Sequence, residues 1–115
     1  MAEIIQCIVA YPSRTQAGSP AKFDMDYYLK THMAMIDQYW GPHGMKRWRI
    51  SEFAAKNPLT GSEMPYIVQT TIEWDSVDDL KRALSAPDAD KTKEDIPKFT
   101  DVVPEIWVSK VAAAK

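Results

Sequence analysis

The side chains most able to exchange a proton near neutral pH are few in this chain: His32, His43 and the single cysteine, Cys7. His32 has the most suggestive company. It lies in FDMDYYLKTHMAMIDQYW, residues 23–40, with Tyr28 four positions before it. Residues four apart on a helix share a face, which brings an imidazole and a phenol side by side. Such a pair can move a proton and polarise an oxygen, the imidazole as general acid or base and the hydroxyl as donor to a carbonyl or phenolate. Other chemistries find less support. No HxxxH, HExxH or CxxC spacing occurs, so no metal is expected. The four glycines form neither GxGxxG nor GxxxxGK, so no nucleotide loop is expected, and no nucleophile elbow supports a Ser-His-Asp triad. Cys7 stands among apolar residues and reads as inert packing.

The helix that must position His32 is amphipathic. At about 100° per residue, Met25, Leu29, His32, Ile36 and Tyr39 form one stripe, with Tyr28, Met35 and Trp40 along its edges. Tyr27, Lys30, Ala34 and Gln38 fall on the opposite side. His32 therefore points inward. Two readings fit that position. One is a core histidine bonded to a neighbouring hydroxyl or carbonyl. The other is a general acid–base in an apolar pocket, where burial favours the neutral ring that accepts a proton. Periodicity does not choose between them.

The surrounding elements follow from pattern and punctuation. Ile4 to Tyr11 reads as a strand ending at Pro12, and PSRTQAGSPAKF as a loop. Asp24 is the expected N-cap of the histidine helix, which Gly41 and Pro42 should stop. MKRWRISEFAA and YIVQTTIEW read as strands joined through the turn-rich KNPLTGSEMP. Ser76 should cap a short helix, SVDDLKRALSA, with Asp79 at the capping-box position. PDADKTKEDIPKFTD is expected to be part helix, part loop, and PEIWVSKVA a last strand. The order β-α-β-β-α-β is the ferredoxin-like α+β motif, two helices on one face of a four-stranded antiparallel sheet. In the first strand Ile5, Cys7, Val9 and Tyr11 share one side and Ile4, Ile8 and Ala10 the other, so both sides are largely apolar. No further element is available to cover the second face. A homodimer through the sheet face is the expected solution.

The chain has 115 residues, the size of one domain spanning 1–115, and its 45% apolar content supports a core. Fourteen basic residues against sixteen acidic ones give a net charge of −2, which argues against nucleic acid or an anionic membrane as partner. Lys46, Arg47 and Arg49 surround Trp48, yet YIVQTTIEW lacks the glycine-aromatic pattern of base-stacking strands. Alternation instead puts Trp48 and Ile50 on one sheet face and Arg47 and Arg49 on the other. One cysteine excludes an intrachain disulfide and suits a reducing compartment. No basic N-terminal region and no membrane-length apolar run occurs, so a cytoplasmic protein is expected.

FDMDYYLKTHM, the following GMKRWRI, and DIPKFTD together resemble the EthD family, in the right order over nearly the whole chain. The most specific part is Phe23-Asp24, Tyr27-Tyr28 and His32; the next is Asp95-Ile96-Pro97 with Phe99 and Asp101. The resemblance implies a dimeric α+β barrel holding a small apolar or aromatic metabolite between sheet and helices. It implies cofactor-independent acid–base chemistry of monooxygenase, cyclase, isomerase or dehydratase type, with His32 handling the proton and Tyr28 polarising a substrate oxygen. Some barrels of this shape bind haem, for which His32 would be the axial ligand; no cofactor is the main expectation and haem the lesser one. Given an apolar ligand, Tyr66, Trp74 and Trp107 are candidate cavity-lining residues, and Arg49 a candidate contact for an anionic group. The rival reading is a non-catalytic dimeric ligand-binding or accessory protein whose His32 fixes a core hydrogen bond.

Overall fold

A computed structural model describes residues 3–115; Met1 and Ala2, included in the expected domain, lie outside the described residues. Four strands, β1 (Ile5–Pro12), β2 (Met45–Glu52), β3 (Tyr66–Trp74) and β4 (Glu105–Lys110), form one antiparallel sheet in the order β2-β3-β1-β4. This is the ferredoxin-like arrangement, with the two most apolar strands, β1 and β3, central. Helix α1 covers residues 25–40 after β1, while α2 (Val77–Ser85) and α3 (Ala89–Asp95) fill the connection from β3 to β4.

The alternation of β1 and β3 sets where the core lies. Ile5, Cys7, Val9 and Tyr11 are buried with Val68, Thr70, Ile72 and Trp74 on the side facing the helices. The register pairs Ile8 with both Thr71 and Trp107, and Thr71 with Arg49, so these side chains form one row on the opposite face. Gln6, Arg47, Gln69, Glu73 and Ser109 flank that row in the same register. The open face is apolar along Ile8 and Trp107, with Ala10 covered, but polar along β2 and β3. The expectation of a largely apolar second side, drawn from β1 alone, holds only for its centre. Arg47 there pairs with Glu73 at 3.0 Å.

Both expected caps form. Asp24 accepts from the Tyr27 N–H at 3.1 Å and Ser76 from the Asp79 N–H at 3.1 Å. Asp79 does not close a capping box: its carboxylate pairs with Arg82 and lies against Gly44. Gly44 has φ +101° and ends the 3₁₀ turn Gly41–His43 that follows α1, so this residue type suits the sharp entry into β2.

Helix α1 departs from the regular wheel. It is α-helical over Met25–Tyr27, widens into a π turn over Tyr28–His32, and resumes as α-helix over Met33–Trp40. Within the wide turn the Met33 N–H donates to the Tyr28 carbonyl, five residues back. The inward stripe consequently runs through Tyr28, Met33, Ile36 and Trp40, a step of five followed by three and four, with His32 beside Met33. Leu29, expected on the inward stripe, is 46% exposed, and Tyr39 is half-buried. One π turn slides every later residue by about one position around the helix. π turns of this kind often accompany functional sites.

Candidate active site

Two separated stretches of sequence are stitched together to build the site. The Asp24 N–H donates to the Phe99 carbonyl at 2.7 Å, the Thr100 hydroxyl to the Lys22 carbonyl at 2.6 Å, and the Lys22 N–H to Asp101 at 2.8 Å. These bonds clamp the start of α1 to the segment after α3. Tyr11, Phe23, Tyr28 and Phe99 pack edge-on or tilted at centroid distances from 4.9 to 5.8 Å. That aromatic cluster holds the π turn rigidly against the sheet.

Within this frame His32 is 4% exposed, and its ring lies parallel to Tyr28 at 5.3 Å and against Phe99 at 4.6 Å. Its Nδ1 is 2.9 Å from Oδ2 of Asp95, itself 4% exposed at the end of α3. A carboxylate only accepts, so Nδ1 carries the hydrogen and Nε2 is left with its lone pair. The other Asp95 oxygen accepts from the Tyr27 hydroxyl at 2.6 Å, and Lys98 Nζ lies 3.9 Å from it. Desolvation lowers the His32 pKa below its ordinary value, and the bond to Asp95 and its charge offset part of that fall. The ring is therefore neutral at pH 7 with a defined tautomer. The ring is thus held by a carboxylate rather than by a neighbouring hydroxyl or backbone carbonyl.

A cleft reaches this ring. It is narrow, with a free volume of about 60 Å³ against the about 300–1,000 Å³ typical of small-molecule sites. His32, Tyr28, Tyr11 and Thr70 line its base, Val9, Met33, Ile36 and Ile72 its walls, and the partly exposed Leu84 and Ile106 its mouth. Among the described residues, the sealed side-chain polar atoms without a partner are the indole nitrogens of Trp40 and Trp74. His32 lines the cleft, and no hydrogen bond from its Nε2 to a described residue accompanies that of Nδ1. At the base, the Tyr28 and Thr70 hydroxyls share a hydrogen bond of 2.5 Å. Burial pushes the Tyr28 and Tyr11 phenols up, so both remain protonated donors.

The residues expected from sequence separate into two groups. His32 and Tyr28 meet as anticipated. Trp74 is 1% exposed and packs on Trp40 at 5.9 Å within the core rather than lining the cleft. Trp107 and Arg49 lie in the register row of the open sheet face, and the Tyr66 ring meets Trp107 at 6.0 Å while its hydroxyl donates to Glu105. The sheet thus stands between Arg49, Trp107 and the His32 ring. The reason is parity: Trp107 and Arg49 pair with residues of the strand phase that points away from the helices. Trp48 instead reaches α1, its indole N–H donating to Asp37 at 2.9 Å. Sequence reading missed Asp95, Tyr27, Thr70 and Tyr11. The available signal for Asp95 was its place at the head of the DIPKFTD stretch; the sequence offers for Thr70 only its alternation with Val68 and Ile72 in YIVQTTIEW. Cys7 is 1% exposed and its thiol is pushed up to about 11 by burial, which leaves it an unreactive packing residue.

No metal-sized cluster of three His, Cys, Asp or Glu side chains occurs among the described residues, and no helix of theirs is long and apolar enough to cross a membrane.

No family model and no curated protein matches the sequence. Solved structures do match. An EthD-like protein from Ralstonia eutropha superposes with a TM-score of 0.81 at 23% identity, covering 100% of this chain and 97% of its own. A hydroxynitrile lyase from Passiflora edulis aligns with a TM-score of 0.65 at 13% identity over 100% and 99% of the two chains. SnoaB, a cofactor-independent oxygenase from Streptomyces nogalater, aligns with a TM-score of 0.60 at 12% identity over 100% and 96%. The resemblance drawn from FDMDYYLKTHM and DIPKFTD and the resemblance in three dimensions point the same way: this chain has the fold of the EthD-like proteins.

Proposed function

We propose that the protein is a small-molecule enzyme that transfers a proton without a cofactor. His32 accepts or delivers the proton through Nε2, while Asp95 fixes the tautomer and stabilises the imidazolium that forms. The Tyr28 hydroxyl, backed by Thr70, donates to the carbonyl or phenol oxygen on which charge develops. The observation that carries this reading is the buried Nδ1–Asp95 bond at 2.9 Å on a histidine that lines an apolar cleft. A histidine serving only the core would use both nitrogens within the protein. The fold is shared with a cofactor-independent oxygenase and a hydroxynitrile lyase, two proteins of different reaction type, so the fold supports the enzyme class and not a particular bond change.

The test begins with the ligand. Native mass spectrometry of purified protein identifies a bound or turned-over metabolite, and His32→Gln is then assayed on it. General acid–base catalysis contributes about 10²–10⁴-fold, and a loss of that order with the fold intact is expected. Turnover unchanged in His32→Gln would remove His32 from the chemistry, and a metabolite that the wild type binds without turning over would return the protein to a binding or accessory role.

The assembly proposed with this function is a homodimer through the sheet face. Ile8 and Trp107 form an apolar strip there, and Arg47, Arg49, Glu73 and Glu105 give a polar rim of both signs. Self-association suits such a surface, because the symmetry of a pair sets opposite charges against each other. Sedimentation should give a dimer at micromolar concentration, and a monomer there would discard the interface.

A further inference from the structure

Ala89, Thr92 and Lys93 of α3 and Ile96 at the start of the 3₁₀ turn that follows line the cleft, spaced i, i+3, i+4, i+7. A helix face with that spacing is ordinarily apolar along its length. Ala89 and Thr92 are buried and Ile96 half-buried, yet the remaining position holds a lysine. Among the described residues that line the cleft, Lys93 carries the one permanent charge.

Neighbouring lysines are engaged with the protein. Lys91 pairs with Asp88 at 3.2 Å and lies 5.4 Å from the centre of the Tyr39 ring, and Lys98 is within 3.9 Å of Asp95. Lys93 forms no ion pair with any described residue, although Asp90 and Glu94 stand on the same helix. Its exposed side chain shares the mouth with Leu84 and Ile106, which are 43% and 54% exposed, while His32 and Tyr28 occupy the base.

Resting on the reading that this cleft takes a ligand, we infer that Lys93 recognises an anionic group at its mouth, and that the ligand is an apolar acid. Its hydrophobic body lies against the exposed Leu84 and Ile106 at the mouth of the narrow cleft, its carboxylate or comparable anion meets the ammonium, and its far end points toward His32. A pocket gains orientation from a few placed polar groups in apolar walls, and these two ends supply them. At a solvated mouth the attraction is modest and weakens with salt.

Two fluorescent probes separate charge from apolar contact: anilinonaphthalene sulfonate, an aromatic monoanion, and the uncharged phenylnaphthylamine. Each is titrated into the full chain, into Lys93→Met, which keeps the apolar stem, and into Lys93→Glu. The sulfonate should bind about 3–5-fold more weakly to Lys93→Met and weaker still to Lys93→Glu, with the gap closing at high salt. The neutral probe should change by less than about twofold, the spread expected for a surface substitution. Equal losses for both probes, or none for the sulfonate, would overturn the assignment of Lys93. Ile106→Trp narrows the mouth and should weaken both probes. If it weakens neither, or if neither probe binds, the cleft is not a ligand site, and the proposed function falls together with this inference.

Discussion

Asp95 is the residue on which the chemistry of His32 depends, and its replacement tests that dependence without any substrate. The bond from Nδ1 to Oδ2 joins two groups that are each 4% exposed. Asp95→Ala removes the acceptor and strands a buried N–H, a loss of about 1–3 kcal/mol. For a domain of this size that lowers Tm by about 4–12 °C. Asp95→Asn keeps shape and hydrogen-bonding capacity and should unfold close to the wild type. The informative readout is imidazole ¹⁵N NMR across a pH series. In the wild type, Nδ1 should carry the hydrogen and Nε2 should be bare. Burial lowers the His32 pKa, and Asp95 opposes that fall through its hydrogen bond and its charge. A neutral Asn removes the opposition, so the His32 midpoint must move further down in Asp95→Asn, and the Nδ1–H tautomer must lose its dominance. A midpoint that stays in place or rises, or a wild-type ring protonated at Nε2, would refute the proposed control by Asp95.

Other outcomes follow from the same geometry. Because the folded His32 pKa lies below its ordinary value of about 6.5, the unfolded chain takes up that proton first, and stability is full above that pH and declines as pH falls below it. Urea midpoints between pH 7.5 and 5, taken as wild type minus His32→Gln, should show this decline, and kcat/KM should lose activity on its acidic limb. Tyr28→Phe breaks the 2.5 Å bond to Thr70 at a stability cost of about 0.5–1.5 kcal/mol, and loss of an oxygen-polarising donor should lower kcat by about 10²–10³-fold. The π turn is tested by a pair of substitutions: Met33→Ala, at 1% exposure, should cost about 2–5 kcal/mol, whereas Leu29→Gln, at 46%, should stay within about 0.5 kcal/mol by urea denaturation. A regular helix would predict the reverse ranking.

Much of the architecture was legible from local pattern. Strand alternation in β1 and YIVQTTIEW, Asp24 and Ser76 as caps, and Gly41-Pro42 as a helix end are short-range effects that each segment settles for itself. The same rules brought His32 inward next to Tyr28. They failed where a helix changed its period: one turn of five residues moved Leu29 out and Met33 in, and a wheel of fixed angle has no means of anticipating it. They also misjudged the aromatic and arginine candidates. Type and alternation select Tyr66, Trp74, Trp107 and Arg49 equally well as ligand contacts, but strand phase relative to β1 decides which side of the sheet each one faces.

What the sequence determined alone is therefore the order of elements, their caps and the inward turn of one imidazole, because those depend on residues within a few positions of each other. Tertiary structure decided whether that imidazole could act. Asp95 lies 63 positions from His32, and the clamp between Lys22–Asp24 and Phe99–Asp101 brings the two within 2.9 Å. A hydrogen bond formed across that separation has no local signature, because chain folding and not residue type sets the distance between the partners.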